Sequence, residues 1–283
     1  MDRIRACEQF DPARYIPFLV GTEQVGSIGH EFAGFLTEFP GILSVGDDGV
    51  RLSGQLGSHG DRSAALAQVT SKLHEHGHIP GWRNELYPAG SSFTAPALFD
   101  IERAAVSLFG IRGYGVHMNG YVRNGGEISL WVGQRSLNKP TGPGKLDQMV
   151  AGGQPAGLSL RENLSKECQE EANIPSHIAA RARPVGTISY KTSRPEGLRN
   201  DILFNFDLEV PADFTPVNTD GEVERFHLWP IDTVCQVIRE TDDFKFNAAL
   251  VVIDFLVRHG FIEADHPDYV DIVAGLHRTY LEH

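Results

Sequence analysis

The chain reads as an α/β protein in two parts, a small α+β unit over residues 1–110 and a larger α/β unit over 111–280. Short apolar runs bounded by Gly and Pro, beside one amphipathic helix, fill the first part. Alternating segments at Gly115–Arg123, Glu127–Arg135 and Asp201–Glu209 fill the second. Among these strands lies a Gly-led acidic helix within Gly152–Ile174.

Composition bounds the rest. A length of 283 residues, 41% hydrophobic and 22% charged, suits a globular protein with ample core. The net charge of −12, from 37 acidic and 25 basic residues, argues against nucleic acid or anionic membrane as partner. Cys7, Cys168 and Cys235 are too scattered for a disulfide framework or a zinc site, and Cys168 reads as a core residue of the helix. The N-terminus lacks the apolar run of a signal peptide, and Ala248–Val257 is too short to span a bilayer. A cytoplasmic protein, monomeric or homodimeric, is expected. Leu281-Glu282-His283 resembles the start of a tag and is set aside.

In chain order, Ile16–Val20, Gly41–Val45 and Val50–Leu56 read as strands. Arg62–His76 reads as a helix with Ala65, Leu66, Val69 and Leu73 on one side. His74, His76 and His78 straddle its end and read as a solvated terminus. The indole, guanidinium and amide of Gly81-Trp82-Arg83-Asn84-Glu85 suit a flat heterocycle, or else a loop anchor with Arg83 paired to Glu85. Pro96–Phe109 reads as a helix, and Gly113 and Gly115 as a break before the second part.

There, Asn124-Gly125-Gly126 makes a hairpin turn. The Thr141–Lys145 segment fails the phosphate-loop spacing and reads as a surface loop, with Lys145 and Asp147 able to face a site. Ser159 and Glu162 form a capping box, Asn173 can end the helix and Pro175 stops it resuming. Glu167, Glu170 and Glu171 fall on neighbouring ridges, so their carboxylates converge and call for a cation. Mg²⁺, an oxygen-seeking ion, offsets such anions and retains substrate phosphate among its ligands. Gly152 and Gly153 let backbone approach a ligand and offer a carbonyl. Lys191, Arg194 and Arg199 form a cationic cluster in a polar loop, suited either to phosphates or to a solvated tip. Ile231–Arg239 and Phe244–His259 close the chain as helices.

Gly152–Ile174 resembles the Nudix box, G-x5-E-x7-R-E-U-x-E-E-x-G-U, with U apolar. Gly152 matches the first Gly, Glu167 the Glu of R-E, Glu170 and Glu171 the E-E pair, and Ile174 the last apolar position. Leu158 replaces the first Glu, Lys166 the Arg and Asn173 the Gly. Gly81–Glu85, Ile101–Ala105 and Tyr114–Val122 extend the resemblance to a subgroup containing the N-terminal part of fungal thiamine pyrophosphokinase and some plant Nudix proteins.

The resemblance implies an N-terminal α+β domain followed by a Nudix α/β/α sandwich around a mixed sheet. It implies Mg²⁺- or Mn²⁺-dependent hydrolysis of a diphosphate, thiamine diphosphate or its oxidised analogues, to the monophosphate. Glu167, Glu170, Glu171 and the Gly152 carbonyl would hold metal. Glu167, or Glu222 or Glu224 further on, would act as base, and strand alternation puts the last two on one face. Trp82 and Arg83 would meet the heterocycle, and Lys191, Arg194 and Arg199 the phosphates. The runners-up are a hydrolase of nucleoside diphosphate derivatives and a catalytically silent ligand sensor. A Nudix-fold isomerase lacks the strand Cys it would need.

Overall fold

The computed structural model describes residues 1–279; the tag-like Leu281–His283 lies outside them. The elements run α1 (Asp2–Arg5), β1 (Tyr15–Val20), β2 (Glu23–Gly29), α2 (His30–Leu36), β3 (Leu43–Gly46), β4 (Gly49–Leu52), α3 (His59–Glu75), β5 (Leu86–Ala89) and β6 (Phe99–Glu102). They continue with β7 (Arg112–Asn124), β8 (Glu127–Arg135), β9 (Leu146–Asp147), β10 (Val150–Gly153), α4 (Leu160–Ala172), α5 (Ser176–Ala179), β11 (Arg183–Arg194) and β12 (Gly197–Glu209). β13 (Val223–Pro230), α6 (Ile231–Glu240), α7 (Phe246–Arg258) and α8 (Tyr269–Leu276) end the chain.

The fold is the expected α+β unit followed by an α/β/α sandwich around a mixed sheet. A sheet ordered β2-β1-β4-β3 packs with α2 and α3 around Phe18, Leu66, Phe99 and Phe109. The larger sheet is ordered β11-β12-β7-β8-β13, with β10 added to β7 and β9 to β8. It is mixed, because β12 runs parallel to β7 while its other pairings are antiparallel. α4 buries Leu164 and Cys168 against Val116 and Met118 on one face. On the other face α7 buries Ala248, Val252 and Phe255 against Leu130, Tyr190 and Leu203. Residues alternate faces along a strand, so the even positions of β7 that meet α4 come from its own sequence. Ile4 and Cys7 join this C-terminal core despite their position in the chain.

Tertiary pairing overrides local reading in three places. Pro96–Phe109 is not a helix: Phe99 and Ile101 are buried alternately in β6, paired with β5, and only the 3₁₀ turn Arg103–Ala105 is helical. Gly113 and Gly115 are no break, since both lie inside β7. A Cβ on Gly115 would come within 2.9 Å of the Gly152 carbonyl, so glycine permits the close approach of β10. The expected polar loop of Lys191–Arg199 is largely strand, paired from Tyr190↔Asp201 to Arg194↔Gly197.

Candidate functional site

α4 begins as its sequence requires. The Ser159 hydroxyl accepts from the Glu162 N–H at 3.3 Å, and the Glu162 carboxylate accepts from the Ser159 N–H at 2.8 Å. Asn173 ends the helix at φ 51°. Buried Asn163 donates to the Gly153 carbonyl at 2.8 Å and to the Gln154 amide oxygen at 3.1 Å. That pins β10 to the helix and places Gly152 against Glu167. A Cβ on Gly152 would fall 2.3 Å from the Glu167 carboxyl carbon.

The acids differ in environment. Glu171 is buried and its carboxylate accepts from the Ala151 N–H at 2.7 Å. Burial, then the charge of Glu167, pushes its pKa well above the usual carboxylate range. Burial also raises Glu167, against the opposing charge of Lys166. The Lys166 ammonium bridges Glu167 at 3.2 Å and the more exposed Glu170 at 2.8 Å. It keeps the charge of the Arg the box would place there without its fork.

A second group closes on these from the sheet. Thr219 donates through its hydroxyl to the Glu170 carbonyl at 2.6 Å, fixing the loop before β13 on the end of α4. That loop carries Glu222, which pairs with Lys139. Burial alone would raise Glu222, but Lys139 with Arg103 and Arg83 holds it below its ordinary value. Asp147, Arg135, Glu171 and Glu222 line a cavity of about 10 Å³, room for a water or a bare ion of similar size. Asp147 pairs with Arg135 at 2.9 Å.

Glu222 and Glu224 do not share a strand face as alternation implies. Glu222 precedes the strand, and the register slips between Val223 and Arg225, so Glu224 is the extra residue of a bulge and is exposed. Of Lys145 and Asp147, only Asp147 lines the cavity; Lys145 donates to the Asp242 carbonyl at the surface.

The N-terminal unit reaches over the box. The Leu86 carbonyl accepts from the Ala156 N–H at 2.8 Å, and the Tyr87 hydroxyl lies where a Cβ on Gly153 would fall, 1.5 Å away. Arg103 pairs with Glu85 at 2.8 Å and its guanidinium lies 5.7 Å from the Tyr87 ring centre. Its charge reaches both Glu167 and Glu222. Gly153→Ala is therefore expected to lower stability by about 1–3 kcal/mol through overpacking against Tyr87. Gly126→Ala, with open space at that Cβ, should leave the urea midpoint unchanged. Equal midpoints for both variants would contradict this docking.

Trp82 stacks on His74 at 4.8 Å and its indole N–H donates to Asn84 at 2.8 Å. The Arg83 backbone N–H donates to Glu102 at 2.9 Å, while its side chain is exposed; the partner of Glu85 is Arg103. Lys191 lies 4.1 Å from the Phe10 ring centre and Arg194 3.9 Å from that of Phe246. Arg199 pairs with Asp201 at 2.6 Å. Each of these three cations is thus engaged by a ring or a carboxylate of the fold. Tyr87, Arg103 and Arg135 are the site residues that sequence reasoning missed. Arg103 lies in the recognised Ile101–Ala105 segment, but reading that segment as helix hid its reach.

The donors fit a hard divalent cation, since all are oxygen and like charge presses on the buried acids, that of Glu167 on Glu171 and that of Glu170 on Glu167. Among the described residues no three Asp, Glu, His or Cys side chains converge tightly enough to hold an ion as they stand. Lys166 would have to swing from Glu167 and Glu170.

A family model described as a domain of unknown function (DUF4743) matches residues 1–113. Nudix hydrolase 20, chloroplastic, of Arabidopsis thaliana is 48% identical over 271 residues, covering 93% of this chain and 72% of that protein. The chain belongs to the Nudix hydrolase family. Nudix hydrolase 24, chloroplastic, of the same plant is also 48% identical, over 264 residues and the same shares. An uncharacterized protein of Saccharomyces cerevisiae, YJR142W, is 34% identical over 215 residues, covering 71% of this chain and 62% of that protein. This Nudix protein is an enzyme of a family acting on diphosphate-containing small molecules with divalent metal ions.

The expected cytoplasmic location is corrected, because both plant relatives are named chloroplastic. The missing apolar run bore only on secretion; plastid transit peptides are Ser-rich and amphipathic. Among the described residues no helix is long and apolar enough to cross a membrane.

Proposed function

We propose that this Nudix hydrolase cleaves an organic diphosphate, thiamine diphosphate or its oxidised analogues, to the monophosphate and inorganic phosphate, using Mg²⁺ or Mn²⁺. The observation that carries the reading is the acid cluster itself. Buried Glu167 lies against Gly152 and buried Glu171 on the Ala151 N–H, and Glu222 and Asp147 share a water-sized cavity with Glu171. Glu167, Glu170, Glu171 and the Gly152 carbonyl would hold the metal. When bound, the metal neutralises the diphosphate and makes a water more acidic.

The chain's own residues supply the rest. Glu222, kept ionised by Lys139, would take the proton of the attacking water. A new O–P bond forms, the bridging P–O bond breaks and the electron pair leaves with the departing phosphate. Arg103 and Arg83 bring positive charge to the same side, where phosphate oxygens gain from it. Glu224 is exposed and has no part in this reading. The thiamine assignment rests on the subgroup resemblance in Gly81–Glu85, Ile101–Ala105 and Tyr114–Val122.

The test is a panel of thiamine diphosphate, oxythiamine diphosphate, ADP-ribose and a nucleoside triphosphate, ranked by kcat/KM with Mg²⁺. Preference for the thiamine compounds is the expected result. Preference for ADP-ribose or the triphosphate would discard thiamine and keep diphosphate hydrolysis.

A further inference from the structure

We propose that the cleft between β5 of the N-terminal unit and the segment Gln154–Leu158 binds the aromatic heterocycle of the organic diphosphate. This rests on the hydrolase reading above and assigns the N-terminal unit a share in substrate recognition.

The cleft encloses about 180 Å³, and none of its lining residues is charged. Pro88 and Ala89 come from β5, Phe93 from the loop that follows, Tyr114 from β7, and Gln154 and Leu158 from the box. A phosphate finds no cation or metal ligand there, so the diphosphate belongs at the acid cluster and the organic part in the cleft. The two are contiguous along the chain: Gly152 touches Glu167, Gly153 meets Tyr87, and Gln154 is already cleft wall.

The walls are braced from both sides. Gln154 donates from its backbone to the Tyr114 carbonyl at 2.8 Å and from its side chain to the Leu158 carbonyl at 2.6 Å. Its amide oxygen is taken by Asn163, so Gln154 shapes the pocket while its own polar groups are engaged. Such pre-formed, mostly apolar clefts with fixed polar walls are where small ligands bind.

Aromaticity favours a flat ring. Phe93 lies 5.0 Å from Tyr114 and 4.7 Å from Phe204, yet remains 42% exposed. Leu158 is 37% exposed where the box would place an acid. A charged Glu at that position would line the apolar cleft, so its replacement by Leu suits a pocket for an apolar ring. A ring seated there would cover both side chains and stack on the aromatic faces, which also attract a cationic heterocycle.

The experiment compares wild type and Phe93→Ala, each checked by thermal melting, on thiamine diphosphate and on methyl diphosphate, which lacks a ring. KM for thiamine diphosphate should rise about tenfold in Phe93→Ala with kcat nearly unchanged, the cost expected for one lost stacking partner. KM for methyl diphosphate should not move. Equal changes for both substrates, or none, would overturn the cleft assignment and leave the hydrolase reading standing. Calorimetric binding of thiamine monophosphate and AMP, without metal, provides a readout independent of turnover. Binding by wild type that Phe93→Ala weakens supports the cleft even if no substrate is hydrolysed. Failure of wild type to bind either, or tighter binding of geranyl monophosphate than of both, overturns it. If a variant fails to fold, Phe93→Leu, which keeps volume and removes the ring, takes its place.

Discussion

Glu171→Gln is expected to lower kcat by about 10²–10³-fold, the scale of losing one preorganised charge in a catalytic site. The amide is nearly isosteric and its oxygen can still accept from the Ala151 N–H, so the backbone of β10 need not move. Stability should hold or rise. Glu171 is buried beside Glu167 and its charge is disfavoured in the folded state, so a neutral side chain removes a penalty. Two measurements separate the effects: kcat at saturating Mg²⁺, and Tm without metal. A variant that melts earlier would have lost structure. One that keeps its kcat would remove Glu171 from the chemistry.

The second large effect concerns pH and His117. This imidazole is buried on β7, its Nδ1 2.7 Å from the Gln148 amide oxygen. Burial pulls its pKa down to about 4 against the raising charges of Asp147 and Asp201, and Lys245 lowers it further. The unfolded imidazole protonates near 6.5, so between these values the unfolded chain binds more protons. Stability contributed by neutral His117 is complete above pH 6.5 and falls as pH drops towards 4, by roughly 3 kcal/mol. Lys245, pulled down to about 8 mainly by burial, titrates above that window, and Asp147, held low by Lys245 and Arg135 against the cost of burial, below it. Urea unfolding of wild type and His117→Asn at pH 7.5 and pH 5 checks this. Wild type should lose markedly more stability than the variant. Parallel losses would show that His117 takes up its proton in the folded state as readily as in the unfolded chain.

What could be read from sequence was what is decided locally. Ser159, Glu162 and Asn173 fix the ends of α4 through their own hydrogen bonds and dihedral preference, so the helix and its row of acids were legible without a fold. The hairpin at Asn124-Gly125-Gly126 was legible for the same reason, with Gly125 at φ 62°. Glycines inside β7 read as a break because what they accommodate, the Gly152 carbonyl and the Asp201 side chain, lies far off in sequence. The Lys191–Arg199 cations read as a phosphate grip or a solvated tip because the rings of Phe10 and Phe246 that cover two of them lie far off in sequence. Glu222 and Glu224 could not be separated, since a bulge is set by pairing with β8. Tyr87 and Arg103 join the site only because one unit docks on the other.

The most direct measurement follows monophosphate and inorganic phosphate released from thiamine diphosphate as Mg²⁺ is added to metal-stripped protein. One of each per diphosphate consumed is expected, with no release without metal and almost none in Glu171→Gln at any Mg²⁺ concentration. Release that persists in chelator, or that Glu171→Gln matches, would contradict a metal-dependent reaction at these carboxylates.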